Sequence, residues 1–167
     1  MARLFGAKLR SLRRRHAMKQ AELAERLGLA SQGYIANLEA GQEVPSLDLV
    51  VRVARVFDVS SDYLLRDAVP VEGKAETGVD RYHASGTLPG RFGEKVRTLR
   101  LEKGLSQREL ARNLGLSSRA YISDLEASSK MPSLELVVQI ADLFGVTTDY
   151  LLRESLPVGE IGSATEG

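Results

Sequence analysis

The side chains of this sequence that could do chemistry are mostly cationic, and they do not form a catalytic set. Cysteine is absent from the 167 residues, which excludes a thiolate nucleophile and a cysteine-ligated metal. The two histidines, His16 and His83, have no nucleophile motif, glycine-rich phosphate cradle or metal-ligand spacing near them. The sequence therefore predicts a protein that is not an enzyme and that uses no metal or cofactor.

A basic cluster near the N-terminus is the strongest local charge feature. It contains Arg14, Arg15, His16 and Lys19. The whole chain has a net charge of only +1, but residues 1–70 carry 11 basic and 8 acidic side chains, whereas residues 88–157 carry 10 and 9. Basic clusters attract polyanions such as nucleic acids, although most of them are only solvated. The cluster is thus a candidate for phosphate contact, with a solvated surface as the alternative.

The apolar segments of the chain are short. A run such as LDLVV at residues 47–51 cannot span a bilayer, and the N-terminal MARLFGAKLR lacks the apolar stretch of a signal peptide. The absence of cysteine fits a reducing compartment. These features predict a cytoplasmic protein without membrane contact, and no small-molecule ligand is evident.

The sequence contains one unit twice. Residues 33–41 read GYIANLEAG and residues 120–128 read AYISDLEAS, and a shift of 87 aligns the two copies without a gap. An aligned unit of roughly 65 residues is large enough to fold alone. We predict domains at 1–70 and 88–157, a flexible linker at 71–87 that is rich in Gly, Ser, Thr and charges, and a disordered tail at 158–167.

Each copy has the apolar spacing of helices. In the first copy, the spacing predicts a helix near residues 3–16, a second that stops at Gly28 and a third near 31–40. Pro45-Ser46 then opens a fourth helix, and Ser60 caps a short fifth one. The fold class is therefore all-α, with the same helices in the second copy.

One difference between the copies concerns the start of the second helix. Ser106 followed by Glu109 forms a capping box in the second copy, whereas the first copy has Lys19 at the cap position and keeps only Glu22. We expect the second helix of the first copy to begin less firmly.

Two stretches of the second copy, LSQRELARNLGLSSRAYISDLEAS and MPSLELVVQIADLFGVTTDYLL, resemble the phage-repressor and Cro-like helix-turn-helix family, also called the XRE family. The first copy is similar, although the turn from Gly28 to Ile35 takes seven steps where the family usually has six. The resemblance implies two tandem five-helix bundles. In such bundles, as in phage repressors, the third helix lies in the DNA major groove and the second crosses the backbone.

The resemblance also implies residues that position the protein on DNA. Gln20 and Gln107 match a glutamine that meets a phosphate oxygen in the family, with a solvated or capping glutamine as the alternative. Lys130, in the loop after the third helix of the second copy, is a further candidate for phosphate contact.

A second implied feature is a pair of charges in each copy. Arg13 with Glu39, and Arg100 with Glu126, match a family pair that links the first helix to the end of the third. Unrelated surface charges are the alternative.

The base-reading residues follow from the same resemblance and lie on the exposed side of the third helix, with merely solvent-facing side chains as the alternative. They are Gln32, Gly33 and Asn37 in the first copy, and Arg119, Ala120 and Asp124 in the second; of these, Gly33 and Ala120 are expected to allow close approach rather than to read sequence. Ser31 and Ser118, just before them, are further predicted DNA-binding residues. Gln and Asn suit adenine edges, Arg suits guanine, and Asp accepts from cytosine. Between them, Ile35 and Leu38, with Ile122 and Leu125, are predicted core residues.

The sequence thus predicts a regulator, most often a repressor in this family, that binds double-stranded DNA as a covalent pseudo-dimer on two unlike half-sites. The alternative is that one copy binds DNA and the other is a dimerisation or protein-interaction module, which Asp124 and the smaller charge of residues 88–157 favour. An antitoxin or accessory nucleoid protein is a third reading. Asp124 leads us to expect that the second copy binds DNA more weakly. The operator, the regulated genes and formation of a homodimer are left open.

Overall fold

The computed structural model describes residues 4–68, 71 and 91–153, and all regular structure in them is α-helical. The chain divides into two compact units, Met1–Arg81 and Tyr82–Gly167. The helices of the first unit are α1 Phe5–Arg15, α2 Gln20–Arg26, α3 Gln32–Glu39, α4 Leu47–Phe57 and α5 Ser61–Leu65. Those of the second are α6 Phe92–Glu102, α7 Gln107–Asn113, α8 Arg119–Glu126, α9 Leu134–Phe144 and α10 Thr148–Leu152.

This architecture confirms the predicted all-α class with five helices in each half. The exact domain bounds stay predictions. The predicted linker at 71–87, apart from residue 71, and the predicted tail at 158–167 lie outside the described residues.

The helices begin and end where the sequence places its caps. The hydroxyl oxygen of Ser46 accepts from the Leu49 N–H at 3.2 Å, and that of Ser60 accepts from the Tyr63 N–H at 3.0 Å. Gly28, just after α2, has a φ of +62°, a left-handed conformation that favours glycine. The predicted starts of α4 and α5 and the stop of α2 are therefore confirmed.

The second helix of each unit starts differently, as expected. In the second unit, the Ser106 hydroxyl accepts from the Glu109 N–H at 3.2 Å, and the Ser106 N–H donates to Glu109 Oε2 at 2.8 Å. In the first unit, the Lys19 N–H donates to Glu22 Oε2 at 3.4 Å, and the lysine ammonium has no lone pair with which to accept. The start of α2 therefore has only one of the two hydrogen bonds of a capping box, the one from the cap N–H to the glutamate, and this bond is long.

Each unit has its own apolar core beneath the second and third helices. The predicted core residues Ile35, Leu38, Ile122 and Leu125 are at most 1% exposed, which confirms their assignment. Their burial fixes which face of α3 and of α8 points outward.

The first helix of each unit approaches the end of the third at a glycine that sequence reasoning missed. A Cβ atom on Gly6 would overlap the carbonyl oxygen of Leu38, and one on Gly93 would lie 2.6 Å from the carbonyl oxygen of Glu126. Only glycine therefore allows this backbone contact.

A buried lysine ties the first helix to the last in each unit. Lys8 Nζ donates to the carbonyl oxygens of Tyr63 and Arg66, both at 2.6 Å, and Lys95 makes the same pair of bonds at 2.5 Å in the second unit. These carbonyls lie at the C-terminal ends of short helices, where acceptors need external donors. Burial lowers the pKa of Lys8, and the nearby charge of Asp67 opposes that effect.

Candidate nucleic-acid interface

The second and third helices of each unit present a polar outer face. In α3, burial of Ile35 and Leu38 leaves Gln32, Gly33 and Asn37 exposed. In α8, the exposed residues at the same places are Arg119, Ala120 and Asp124. The structure thus brings the predicted base-reading residues together on one face in each unit, and their contact with bases stays a prediction.

Ser31 and Ser118 begin these faces as helix caps. Their hydroxyl oxygens accept from the N–H groups of Gly33 and Ala120, each at 3.1 Å. Each hydroxyl keeps its own hydrogen, so it can still donate to a phosphate or a base.

A buried ion pair fixes the third helix of the first unit. Arg13 Nε and Nη2 donate to the two carboxylate oxygens of Glu39 at 2.6 and 2.9 Å, and Nη1 donates to the Met18 carbonyl at 2.9 Å. The side chains of Arg13 and Glu39 are 13% and 5% exposed. This bidentate geometry joins α1, the α1–α2 turn and the end of α3.

The second unit contains the same arrangement. Arg100 donates to Glu126 at 2.6 and 3.1 Å and to the Leu105 carbonyl at 2.7 Å. Its side chain is 9% exposed and that of Glu126 is 5% exposed. The predicted pairs are confirmed, and the alternative of unrelated surface charges is wrong.

The glutamine at the start of the second helix joins this pair. Gln20 Nε2 donates to Glu39 Oε2, and Gln107 Nε2 donates to Glu126 Oε2, both at 3.0 Å. Each glutamine is therefore held by a buried carboxylate, a contact that sequence reasoning missed. The second N–H of each amide remains for a phosphate oxygen, so the predicted phosphate contact fits the geometry and stays a prediction.

The carboxylate of Glu39 is adapted to this role. Burial alone would raise its pKa, but hydrogen bonds from Arg13 and Gln20 outweigh burial and lower it. A carboxyl group whose pKa is lower in the folded state stabilises the fold above its unfolded pKa. This contribution is present at neutral pH and is lost as pH falls through the folded pKa.

The remaining basic candidates differ in their surroundings. Lys130 is exposed, and its Nζ lies 4.4 Å from the ring centroid of Tyr121. Arg14, Arg15 and His16 are also exposed, and the ring centroid of His16 lies 5.2 Å from that of Phe57 at the end of α4. His16 thus has a packing role beside its place in the basic cluster.

The described part of the chain shows neither a metal-binding cluster nor a membrane-spanning helix. Within residues 4–68, 71 and 91–153, no group of three or more His, Asp or Glu side chains could hold a metal ion. None of the described helices combines the length and apolar character needed to cross a bilayer.

Residues 9–64 and 96–151 each match the family model described as Helix-turn-helix. The chain is 40% identical over 62 residues to an uncharacterised HTH-type transcriptional regulator, YobD, of Bacillus subtilis, covering 37% of this chain and 54% of that protein. It is 34% identical over 64 residues to the cryptic phage CTXphi transcriptional repressor RstR of Vibrio cholerae, covering 38% and 57%.

A third relative is covered more fully. The control protein C.BamHI of Bacillus amyloliquefaciens is 42% identical over 62 residues, which are 36% of this chain and 75% of that protein. The chain spans about half the length of YobD and RstR. No solved structure matches the chain significantly.

Proposed function

We propose, from the premise that this chain belongs to the helix-turn-helix family, that it is a transcriptional regulator that binds double-stranded DNA. Family membership confirms the resemblance predicted from the sequence. The family consists of transcriptional regulators and is not enzymatic, in agreement with the predicted lack of catalysis. A protein with this function would act in the cytoplasm or nucleoid, which agrees with the cytoplasmic location predicted from the sequence.

The observation that carries the proposal is the buried arginine–glutamate–glutamine cluster behind each outer face. In the first unit it holds Gln20 at the start of α2 and fixes the end of α3, so the exposed side chains of α3 stand on a rigid support. Hydrogen-bond donors on such supports suit phosphate contacts, which set the register of a protein on DNA. The exposed amides of Gln32 and Asn37 suit base edges in the major groove.

The presence of two units in one chain supports a covalent pseudo-dimer. Both units repeat the buried cluster, yet their outer faces differ, with Gln32 and Asn37 in one and Arg119 and Asp124 in the other. Two identical DNA-binding units related by two-fold symmetry require a palindromic operator, whereas two units with unlike outer faces in one chain do not. We infer that the chain binds two unlike half-sites and represses by occupying a promoter.

The length of the connecting segment agrees with this mechanism. A linker at 71–87 can extend to at most about 55–60 Å at ~3.3–3.6 Å per residue. Half-sites one helical turn apart are separated by about 34 Å. Both units can therefore engage one duplex without a second chain, and no homodimer is needed.

A second candidate function has one observation in its favour. Asp124 is exposed on α8, and an outward carboxylate repels phosphate. If that face has lost DNA binding, the second unit serves as a dimerisation or protein-interaction module.

DNA binding predicts a steep dependence on salt. Each phosphate charge that the chain neutralises adds about −0.9 to the slope of log affinity against log salt concentration. We expect a slope steeper than about −3 for a random-sequence duplex, measured by fluorescence anisotropy in increasing sodium chloride. Gln107→Ala is a matched variant, because loss of a neutral donor should lower affinity and leave the slope unchanged. An affinity that does not change with salt would refute the DNA-binding function.

A further inference from the structure

The two units carry opposite charge on the helices proposed to face DNA. Residues 19–44, from the α2 cap to the loop after α3, contain two basic and four acidic side chains. The equivalent residues 106–131 contain four basic and three acidic side chains. The local net charge is therefore −2 in the first unit and +1 in the second, although the first unit as a whole is the more basic.

Three arginines contribute most to this difference, and Lys130 in place of Glu43 adds to it. Arg108 and Arg112 are exposed on α7 one turn apart, and the exposed Arg119 begins α8. All three line one surface depression, together with Ser117 and Ser118 of the turn between these helices. The corresponding residues of the first unit are Ala21, Glu25 and Gln32. We call Arg108, Arg112 and Arg119 the arginine patch.

The arginine patch does not serve the fold by pairing with acidic residues. Other arginines of the second unit do so: Arg91 pairs with Glu94, Arg100 with Glu126 and Arg153 with Asp149. Among residues 91–153, no arginine of the patch forms an ion pair within 4 Å. The pKa of Glu109 is lowered mainly by its hydrogen bonds with Ser106, and the charge of Arg112 adds least to that effect. Like charges four residues apart on a helix repel each other. The patch is thus a local cost to the fold that an external polyanion would relieve.

We propose that the arginine patch is a phosphate-binding surface, and that it makes the second unit the main electrostatic anchor of the chain on duplex DNA. This inference rests on the proposed function. The patch is continuous with the start of α8, so a duplex in contact with α8 places its phosphates beside α7. Three cations in one depression also outweigh the single charge of Asp124, which reverses the expectation that the second unit is the weaker binder.

The two units then contribute differently to DNA binding. The first unit contributes amide readers, Gln32 and Asn37, on an acidic surface that gains little from non-specific attraction. The second adds a sequence-independent attraction to its own base-reading face, because the phosphate contacts of Arg108 and Arg112 carry no base information. The anchored second unit raises the local concentration of the first near its half-site.

The test is a salt titration of the full chain with a random-sequence DNA duplex. Arg108→Gln/Arg112→Gln should reduce the slope of log affinity against log salt by about 1.8, at roughly 0.9 per lost phosphate contact. The matched control is Arg14→Gln/Arg15→Gln, which removes two exposed arginines from the first unit and should change the slope much less. Circular dichroism checks that both variants keep their helices, which is expected because all four side chains are exposed.

The outcomes separate this inference from the proposed function. An unmodified chain that fails to bind the duplex at low salt would refute the function itself. An unmodified chain with a steep slope that Arg108→Gln/Arg112→Gln leaves intact would refute only the anchor. An equal or larger loss with Arg14→Gln/Arg15→Gln would place the anchor in the first unit instead. A competitor series of duplex RNA and polyglutamate should displace the DNA less well than duplex DNA does, and the reverse order would also overturn the assignment.

Discussion

Arg100→Ala will destabilise the second unit by about 3–5 kcal/mol, because it leaves a buried carboxylate without its cation. Glu126 is 5% exposed and would keep only the hydrogen bond from Gln107, while the Leu105 carbonyl would lose its donor. The free energy of unfolding is measured by urea denaturation of the full chain, followed by circular dichroism. The midpoint of the unfolding transition that involves the second unit is compared between the variant and the unmodified chain.

The same helix supplies the control for this change. Arg97 lies on α6 and is exposed, so Arg97→Ala should alter the free energy of unfolding by less than about 1 kcal/mol. Arg100→Met/Glu126→Leu, which removes both charges, should recover much of the loss. An unfolding midpoint of Arg100→Ala equal to that of the unmodified chain would show that this pair does not support α8.

Gly6→Ala will destabilise the first unit by about 3 kcal/mol, at the upper end of what overpacking costs. The added methyl group would overlap the carbonyl oxygen of Leu38, and a backbone atom cannot move aside as a flexible side chain can. The helix α1 must then shift away from the end of α3. Thermal unfolding of the full chain, followed by circular dichroism, measures the effect.

A second glycine gives a control of opposite sign. Gly33, in α3, has only the Ser31 hydroxyl oxygen near an added Cβ atom, at 3.3 Å, and the second unit already has Ala120 there. Alanine is favoured over glycine in helices by about 1 kcal/mol, so Gly33→Ala should be neutral or stabilising. Equal melting temperatures for Gly6→Ala and the unmodified chain would contradict the close approach of α1 to α3.

Much of the fold could be predicted because its signals are local. The spacing of apolar residues gave the helices, and Ser46, Ser60 and Gly28 marked ends that depend on atoms only a few residues away. The contacts of Lys8 could not be predicted in this way, because its partners lie 55 and 58 residues further along the chain. One signal was available, since Lys8 falls on the apolar stripe of α1 together with Phe5 and Leu9.

The candidate site could be predicted only in part from the sequence, because some of its contacts depend on how the helices pack. The family resemblance indicated the Arg13–Glu39 pair, but the bond from Gln20 to Glu39 depends on where α2 packs against α3. Charge was misleading when summed over whole domains. Residues 88–157 are nearly neutral in sum because acidic side chains elsewhere offset Arg108, Arg112 and Arg119, which share one surface only in the folded unit.

The most direct test of the central claim is selection of bound sequences from a pool of random duplex DNA. The full chain is compared with a variant in which residues 31–37 and 118–124 are exchanged. If both units of one chain read unlike half-sites, the selected operator will be non-palindromic, with two half-sites about 34 Å apart, and the exchange will reverse their order. A perfectly palindromic operator, a single half-site, or an order unchanged by the exchange would contradict the covalent pseudo-dimer.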